Sequence, residues 1–486
     1  MSPNPTSPPE SPIARRVLKV ESLTHESHDD RHVIAVETEL CVRRSALATP
    51  RFHAALKEVA DRVGTLADLL GPSTTVVRPG DPSAEGPPAE PPDYVPRRDG
   101  PLSQVEVWRL RVGASGDSIH HSRLLRELAE DETVRTPDGD ESVLPAISPK
   151  HAAILSPAAG GCPATPPTPA GNPGKPFIEP PTDGPTARVT ILDSGYIWTD
   201  PPHRHLDERV TVVRGQWLDP VTNTWQPDGT DGLYTNPAGQ LDGISGHGTF
   251  IAGLVSHIAP GTRLEAVGLR NQEVEIGVLD PDEQLGLFET EVAIAHAMLR
   301  RSRTDVIQCG FAFPTLDDYP SLPFWAVMQE LRMEYAPHGG RVAVVAPAGN
   351  ERSCRPHWPA ALPSVVGVAA TDPSGRERAD FSNWGEWCDC CTRGADVYST
   401  FVSWHGSVEG EPRDRERRFD GWATWNGTSF AAPQVSAEIA RLFLEGNRST
   451  PPADVADQLI ESGKRSSVTD DAVCGSPVSL PYLQIG

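Results

Sequence analysis

The sequence predicts an α/β protein: a parallel sheet flanked by helices, preceded by a smaller α+β region. Three observations carry this. ARVTILDSG, TRLEAVGLR, TDVIQCGF, RVAVVAPAGN and PSVVGVAAT are short, almost continuously apolar runs, the pattern of strands buried on both faces. Helical runs such as ETEVAIAHAMLRR and FWAVMQELRMEY lie between them, as parallel strands require of their crossovers. Upstream, QVEVWRLRV alternates with a period of two and is followed by a helical stretch, which marks a separate strand-and-helix unit.

Along the chain, residues 1–16 are expected to be disordered. Residues 17–155 are expected to form the N-terminal α+β domain. In it RRVLKVESL and HVIAVETELCV read as strands, RFHAALKEVADRVGTLADLL as a helix with apolar residues three and four apart, and DSIHHSRLLRELAED as a second helix. A Pro-rich insertion, 71–103, interrupts this domain. A second Pro/Gly-rich stretch, 156–185, reads as a linker to the large unit at 186–486.

The 486 residues suffice for one large core and one or two smaller units. A net charge of -23 argues against a nucleic-acid groove or an anionic membrane surface, both of which call for basic patches. No apolar run approaches the roughly 18 residues of a membrane span. The start, MSPNPTSPPESPIARR, has charge with no apolar core behind it, so the sequence predicts a cytoplasmic chain whose eight cysteines are mostly thiols. Nothing in it calls for a cofactor.

In open parallel sheets, sites gather beyond the carboxyl ends of the strands. Asp193 ends the run TILDSG, where it is either a half-buried carboxylate that orients another group or an ordinary turn residue. His247, between the glycines of GHGTFIAGLVSHIAP, is either an imidazole aimed into a cleft or a loop histidine; His257 reads as a surface residue. Asn350, at the break VVAPAGNE, is either a donor to an oxyanion or a turn residue. Ser429, in GTSFAAPQ ahead of the amphipathic run VSAEIARLFLEG, is either a helix cap or a nucleophile at a helix N-terminus, where backbone N–H groups favour negative charge.

Together, DSG, GHGT, AGN and GTSFAAP, in that order, resemble the subtilases, the subtilisin-like serine peptidases, over roughly residues 187–465. The order Asp, His, Ser is that family's own, and the roles below follow from the match. The resemblance implies a subtilisin-like sheet and a serine endopeptidase that works through an acyl-enzyme. Ser429 is then the nucleophile, His247 its general base and later acid, Asp193 the group that fixes the imidazole, and Asn350 the oxyanion donor. It implies a peptide or protein substrate, with Gly310, Phe311, Ala312, Ala348 and Gly349 lining its path. Two other readings stay open: a catalytically silent binding protein on the same fold, and an esterase or transpeptidase using the same triad.

The chain departs from the family pattern in places. QCGFAF puts Gly310, Phe311 and Ala312 where the family usually has Ser-Leu-Gly, which changes the shape of the pocket. Cys354, His357, Cys388, Cys390 and Cys391 fall on two loops that the family's topology would bring together, leaving thiols, a disulfide or a metal open; the spacing fits no standard zinc pattern. SWHGSVEGEPRDRERRFDGW reads as a solvated hairpin or a gating loop, and Trp422 and Trp425 as packing residues. Acidic residues between 280 and 290 fit no calcium-loop spacing. Residues 104–155 loosely resemble a subtilase propeptide, and the N-terminal domain is a candidate site for a regulatory protein partner.

Overall fold

The structure, a computed structural model, describes residues 15–21, 32–63, 67–72, 100–112, 118–136, 145–154, 163–172, 186–197, 203, 206, 208–213, 216–219, 224–227, 235, 239–269, 274–275, 288–300, 304–316, 318–335, 342–446 and 448–485. The disorder expected for the first residues, most of the 71–103 insertion and the acidic stretch 280–287 lie outside them.

Five strands open the chain: β1 (Arg15–Glu21), β2 (His32–Arg43), β3 (Ala67–Pro72), β4 (Val105–Val112) and β5 (Ile147–Ile154). The long β2 pairs antiparallel with β1, β4 and β5, and β3 pairs with β4. Helices α1 (Pro50–Val63) and α2 (Ser118–Glu130) accompany this sheet. Phe52, Leu56, Val59 and Val63 make one apolar stripe on α1, packed with Leu124, Leu125 and Leu128 of α2 and with Leu40 and Val42 of β2. Residues 104–155 thus share a core with 32–63.

The helix expected over 51–70 stops at Val63, and Ala67–Pro72 forms β3 instead. Gly64 is the stop signal which that expectation passed over. The apolar spacing of LADLL suits either period, and pairing with β4 selects the strand.

Within the Pro/Gly-rich stretch, β6 (Thr168–Pro169) pairs antiparallel with Ala423 and Thr424. The Trp425 indole N–H donates to the Thr165 carbonyl at 2.5 Å, and the Tyr398 hydroxyl donates to the Gly171 carbonyl at 2.9 Å. A proline-rich segment can take an edge position because its carbonyls still accept, although proline has no N–H to give. Residues 163–172 are therefore laid along the strand that leads to Ser429.

The main sheet is all parallel. Its strands are β7 (Ala187–Asp193), β8 (Val210–Val213), β9 (Thr262–Gly268), β10 (Val306–Cys309), β11 (Ala343–Pro347), β12 (Val366–Thr371) and β13 (Cys390–Arg393), in the order β13-β12-β11-β10-β7-β9-β8. The chain runs from β7 to the edge strand β8, returns to set β9 between them, and then adds β10 to β13 on the other side of β7, so the carboxyl end of β7 is the topological switch point. Side chains alternate between the two faces as strand geometry demands. Val189, Ile191 and Val306 pack with α3 (His247–Ile258) and α6 (Thr428–Glu445), whereas Leu192 and Ile307 pack with α4 (Glu291–Arg300) and α5 (Leu322–Tyr335). Helix α7 (Pro452–Gly463) follows α6. β14 (Val397–Gly406) and β15 (Arg417–Trp425) form the antiparallel hairpin expected before the nucleophile.

Candidate active site

Each element of the site ends where the sheet delivers it. Asp193 is the last residue of β7 and is fully buried; its carboxylate accepts from the Ser194 N–H at 2.7 Å. Gly310, just past β10, packs directly against it, and a Cβ there would lie 1.6 Å from Asp193 Oδ2. Helix α3 starts at His247 after Gly246, whose φ of 79° glycine adopts without strain. Gly248 is equally constrained: a Cβ would meet the Gly195 carbonyl at 2.0 Å.

β7, α3 and α6 bring Asp193, His247 and Ser429 together. His247 Nδ1 lies 2.9 and 2.8 Å from the two carboxylate oxygens of Asp193, and its Nε2 lies 2.9 Å from Ser429 Oγ. A carboxylate only accepts, so Nδ1 carries the proton and Nε2 accepts from the Ser429 hydroxyl. Trp425 and Phe430 pack against the ring, with the Trp425 centroid 5.7 Å from that of His247 in an edge-on arrangement, and Phe250 packs on both of them. Trp425 is thereby a packing residue, as expected, and Trp422 stacks on Tyr398.

Ser429 is the second residue of α6. Gly427 before it is required by space, because a Cβ would sit 2.9 Å from Ser429 Oγ. Asn350 stands beside the helix start: its Oδ1 accepts from the Thr428 N–H at 2.8 Å and from the Thr428 hydroxyl at 3.0 Å. Thr428 Oγ1 in turn accepts from the Gly349 N–H at 3.0 Å. An N–H can only donate, which assigns the carbonyl end of the Asn350 amide to Thr428 and makes the other end the donor. The arrangement can polarise a hydroxyl and offers amide donors beside it, the parts acyl transfer needs.

Of the residues expected along a substrate path, Gly310, Phe311 and Ala312 follow β10 and are buried. The Phe311 ring turns into the core and stacks on Phe324, and the next residue but one, Phe313, exchanges two backbone hydrogen bonds with Trp358. Ala348 and Gly349 follow β11. His257, at the far end of α3, is exposed.

Among the described residues five cysteines are free thiols, in line with the expectation of mostly thiols, and two are bonded to each other. Cys354 forms a disulfide with Cys474, a partner that sequence reading did not consider, 120 residues away. Cys388, Cys390 and Cys391 are buried thiols that burial pushes well above their ordinary value, which makes them inert. Cys390 faces the core under α6, whereas Cys388 and Cys391 face the opposite side. Among the described residues no group of three or more His, Cys, Asp or Glu side chains is placed to hold a metal ion, and no helix is long and apolar enough to cross a membrane.

Sequence reading missed Asn383, a buried residue in the turn after β12 that contacts the Asn350 loop. Its only signal was an asparagine within FSNWG, indistinguishable from a turn residue.

The chain is 29% identical over 301 residues to a "Thermophilic serine proteinase" of Bacillus sp. (strain AK1), covering 61% of this chain and 59% of that protein. It is 24% identical over 300 residues to the "Minor extracellular protease Epr" of Bacillus subtilis (strain 168), covering 62% of this chain and 37% of that one. The chain therefore spans less than two thirds of the length of either relative. A "cold adapted subtilisin-like serine proteinase" of known structure is 19% identical, with 63% of this chain and 92% of that chain covered at a TM-score of 0.39.

The expectation of a cytoplasmic chain does not survive: a relative that matches most of this chain is named as extracellular. It rested on the character of the first residues and on the shortness of the apolar runs, and the Cys354–Cys474 bond departs from the mostly reduced state which that compartment would give. The motifs that suggested a family are the same residues the sheet gathers at one switch point, and residues 184–475 match that family as a whole: the chain belongs to the subtilase family.

Proposed function

We propose that the protein is a serine endopeptidase that cuts peptide bonds through an acyl-enzyme. The observation that carries this reading is the unbroken hydrogen-bonded chain from Asp193 through His247 to Ser429. In the reaction, His247 Nε2 takes the Ser429 proton as Oγ attacks the substrate carbonyl and returns it to the leaving amine; water then repeats the sequence on the ester. Asp193 holds the tautomer and stabilises the imidazolium. Asn350, with the Ser429 backbone N–H, binds the oxyanion. Gly310, Phe311, Ala312, Ala348 and Gly349 border the substrate.

The N-terminal α+β domain acts as a regulator of this site, in the manner of a propeptide. Its strands are continued by segments of the larger unit: β1 pairs with Val274–Glu275 and β5 with Phe288–Thr290. At that junction Glu291, the first residue of α4, accepts from the His151 backbone N–H at 3.1 Å and from Ser321 Oγ at 2.6 Å. Ser429 and His247 both have 0% exposure, which supports a latent state of this chain, since a substrate carbonyl must reach Oγ to react. The protein is exported, in line with the relative's name and the disulfide.

The test compares wild type with Ser429→Ala by fluorophosphonate labelling, intact mass and cleavage of a peptide library. The reading requires that the wild type alone labels and cleaves peptides once the N-terminal domain is removed. Turnover of small esters without peptide cleavage would move the assignment to an esterase. No labelling in either protein, even after limited proteolysis, would leave a binding protein.

A further inference from the structure

We infer that Asn383 is a positioning residue for oxyanion binding: it braces the loop that carries Asn350 from behind. The inference rests on the peptidase reading. Residues 348–353 leave β11 without regular structure and keep only scattered backbone bonds, Ala348 N–H to the Val368 carbonyl, Arg352 N–H to the Phe381 carbonyl and Trp384 N–H to the Ser353 carbonyl. Asn383 adds a set of its own. Its Oδ1 accepts from the N–H groups of Glu351 and Ser353, both at 2.9 Å, and its Nδ2 donates to the Ala348 carbonyl at 2.9 Å and to Glu351 Oε2 at 2.7 Å. Its own N–H donates to the Gly349 carbonyl at 3.0 Å. One buried amide thus ties down both flanks of Asn350.

The opposite side of the same loop is held by Thr428, through Gly349 N–H and Asn350 Oδ1. Between these two clamps Gly349 has φ of 99°, and a Cβ there would lie 2.4 Å from Asn383 Nδ2 and 2.6 Å from Glu351 Oε2. The loop is therefore pressed against the brace with no slack. Donors to an oxyanion work only when held to within about 0.5 Å of the productive position. A shift of Asn383 passes directly into residue 350.

Asn383→Asp keeps the two acceptor contacts, loses both donors and sets a carboxylate against Glu351. Glu351→Gln restores a donor across that pair, so the double variant tests the brace itself. Steady-state kinetics on the fluorophosphonate-reactive form, with inhibition by a peptide aldehyde that mimics the tetrahedral intermediate, give the readout. Asn383→Asp is expected to lower kcat about 10- to 100-fold with KM within about twofold, and to weaken the aldehyde in parallel. The double variant is expected to recover about tenfold of that loss. A folded Asn383→Asp with wild-type kcat and aldehyde affinity overturns the inference, as does a loss that the double variant leaves untouched. If Asn383→Asp does not fold, Asn383→Ser, whose shorter side chain reaches fewer of these partners, takes its place in the same comparison. Absence of labelling in the wild type would instead strike the peptidase reading.

Discussion

Gly310 is packed so closely on Asp193 that a methyl group there would fall 1.6 Å from the carboxylate oxygen Oδ2. The same oxygen lies 2.8 Å from His247 Nδ1. The strand end opposite the triad is therefore part of the device that aims the imidazole. Gly310→Ala is expected to displace Asp193 and cost at least about 100-fold in kcat/KM, the scale of a misplacement of about 1 Å. Gly171, where nothing lies within 4 Å of a Cβ, is the control. Peptidase assays and thermal melts of both variants check this, and an active Gly310→Ala would show that the carboxylate can move without consequence.

Thr428 joins the start of α6 to the loop that carries Asn350 through three hydrogen bonds. Thr428→Val removes the two made by the hydroxyl and keeps the shape. Each such bond contributes about 1 kcal/mol, so a fall of roughly 30-fold in kcat with little change in KM is expected. Asn350→Ala removes the donor itself and is expected to cost about 100- to 1,000-fold, the loss known for the corresponding asparagine of subtilisin. If Thr428→Val matched Asn350→Ala, the threonine would be a direct ligand of the oxyanion.

The Cys354–Cys474 disulfide closes a loop of 120 residues and pins the region that follows Asn350 to the C-terminal hairpin formed by β16 (Ser467–Asp470) and β17 (Val478–Pro481). Chain entropy alone puts its contribution at up to about 5 kcal/mol. Cys474→Ser is expected to lower Tm by about 5–15 °C, measured by calorimetry. A reducing agent is expected to do the same to the wild type and nothing further to the variant.

Burial pushes the Asp242 carboxyl up to about 6, and the nearby Glu409 charge adds to it against the Ile244 N–H. An acid whose folded value lies above its unfolded value of about 3.9 binds its proton more tightly when folded, so its stabilising contribution is present at low pH and is lost as pH rises from about 4 to about 6. The loss amounts to about 3 kcal/mol at most. Asp242→Asn is therefore expected to gain stability relative to wild type across that window, with a constant difference above it. Melting curves from pH 4 to 7.5 decide; parallel curves would show that Asp242 titrates normally. Asp389, also raised to about 6 by burial, remains in both proteins and cancels in the comparison.

The parallel sheet was legible because strands buried on both faces must be apolar throughout, and TILD, VIQC and VVAP carry that mark without help from neighbours. Asp193, His247, Asn350 and Ser429 were legible because glycines and small residues crowd around them where backbones must come close, as at Gly248 and Gly310. LADLL was not, because its apolar spacing suits two periods and only β4 chooses between them. Nor was the docking of 163–172, since a proline-rich stretch reads the same whether it lies free or along an edge. Asn383 and Cys474 escaped for a related reason: each acts on residues 30 to 120 positions away. The sequence by itself determined the family and the order of its motifs. Only the tertiary structure decided what holds them in place, because bracing depends on contacts between distant segments that leave no local pattern.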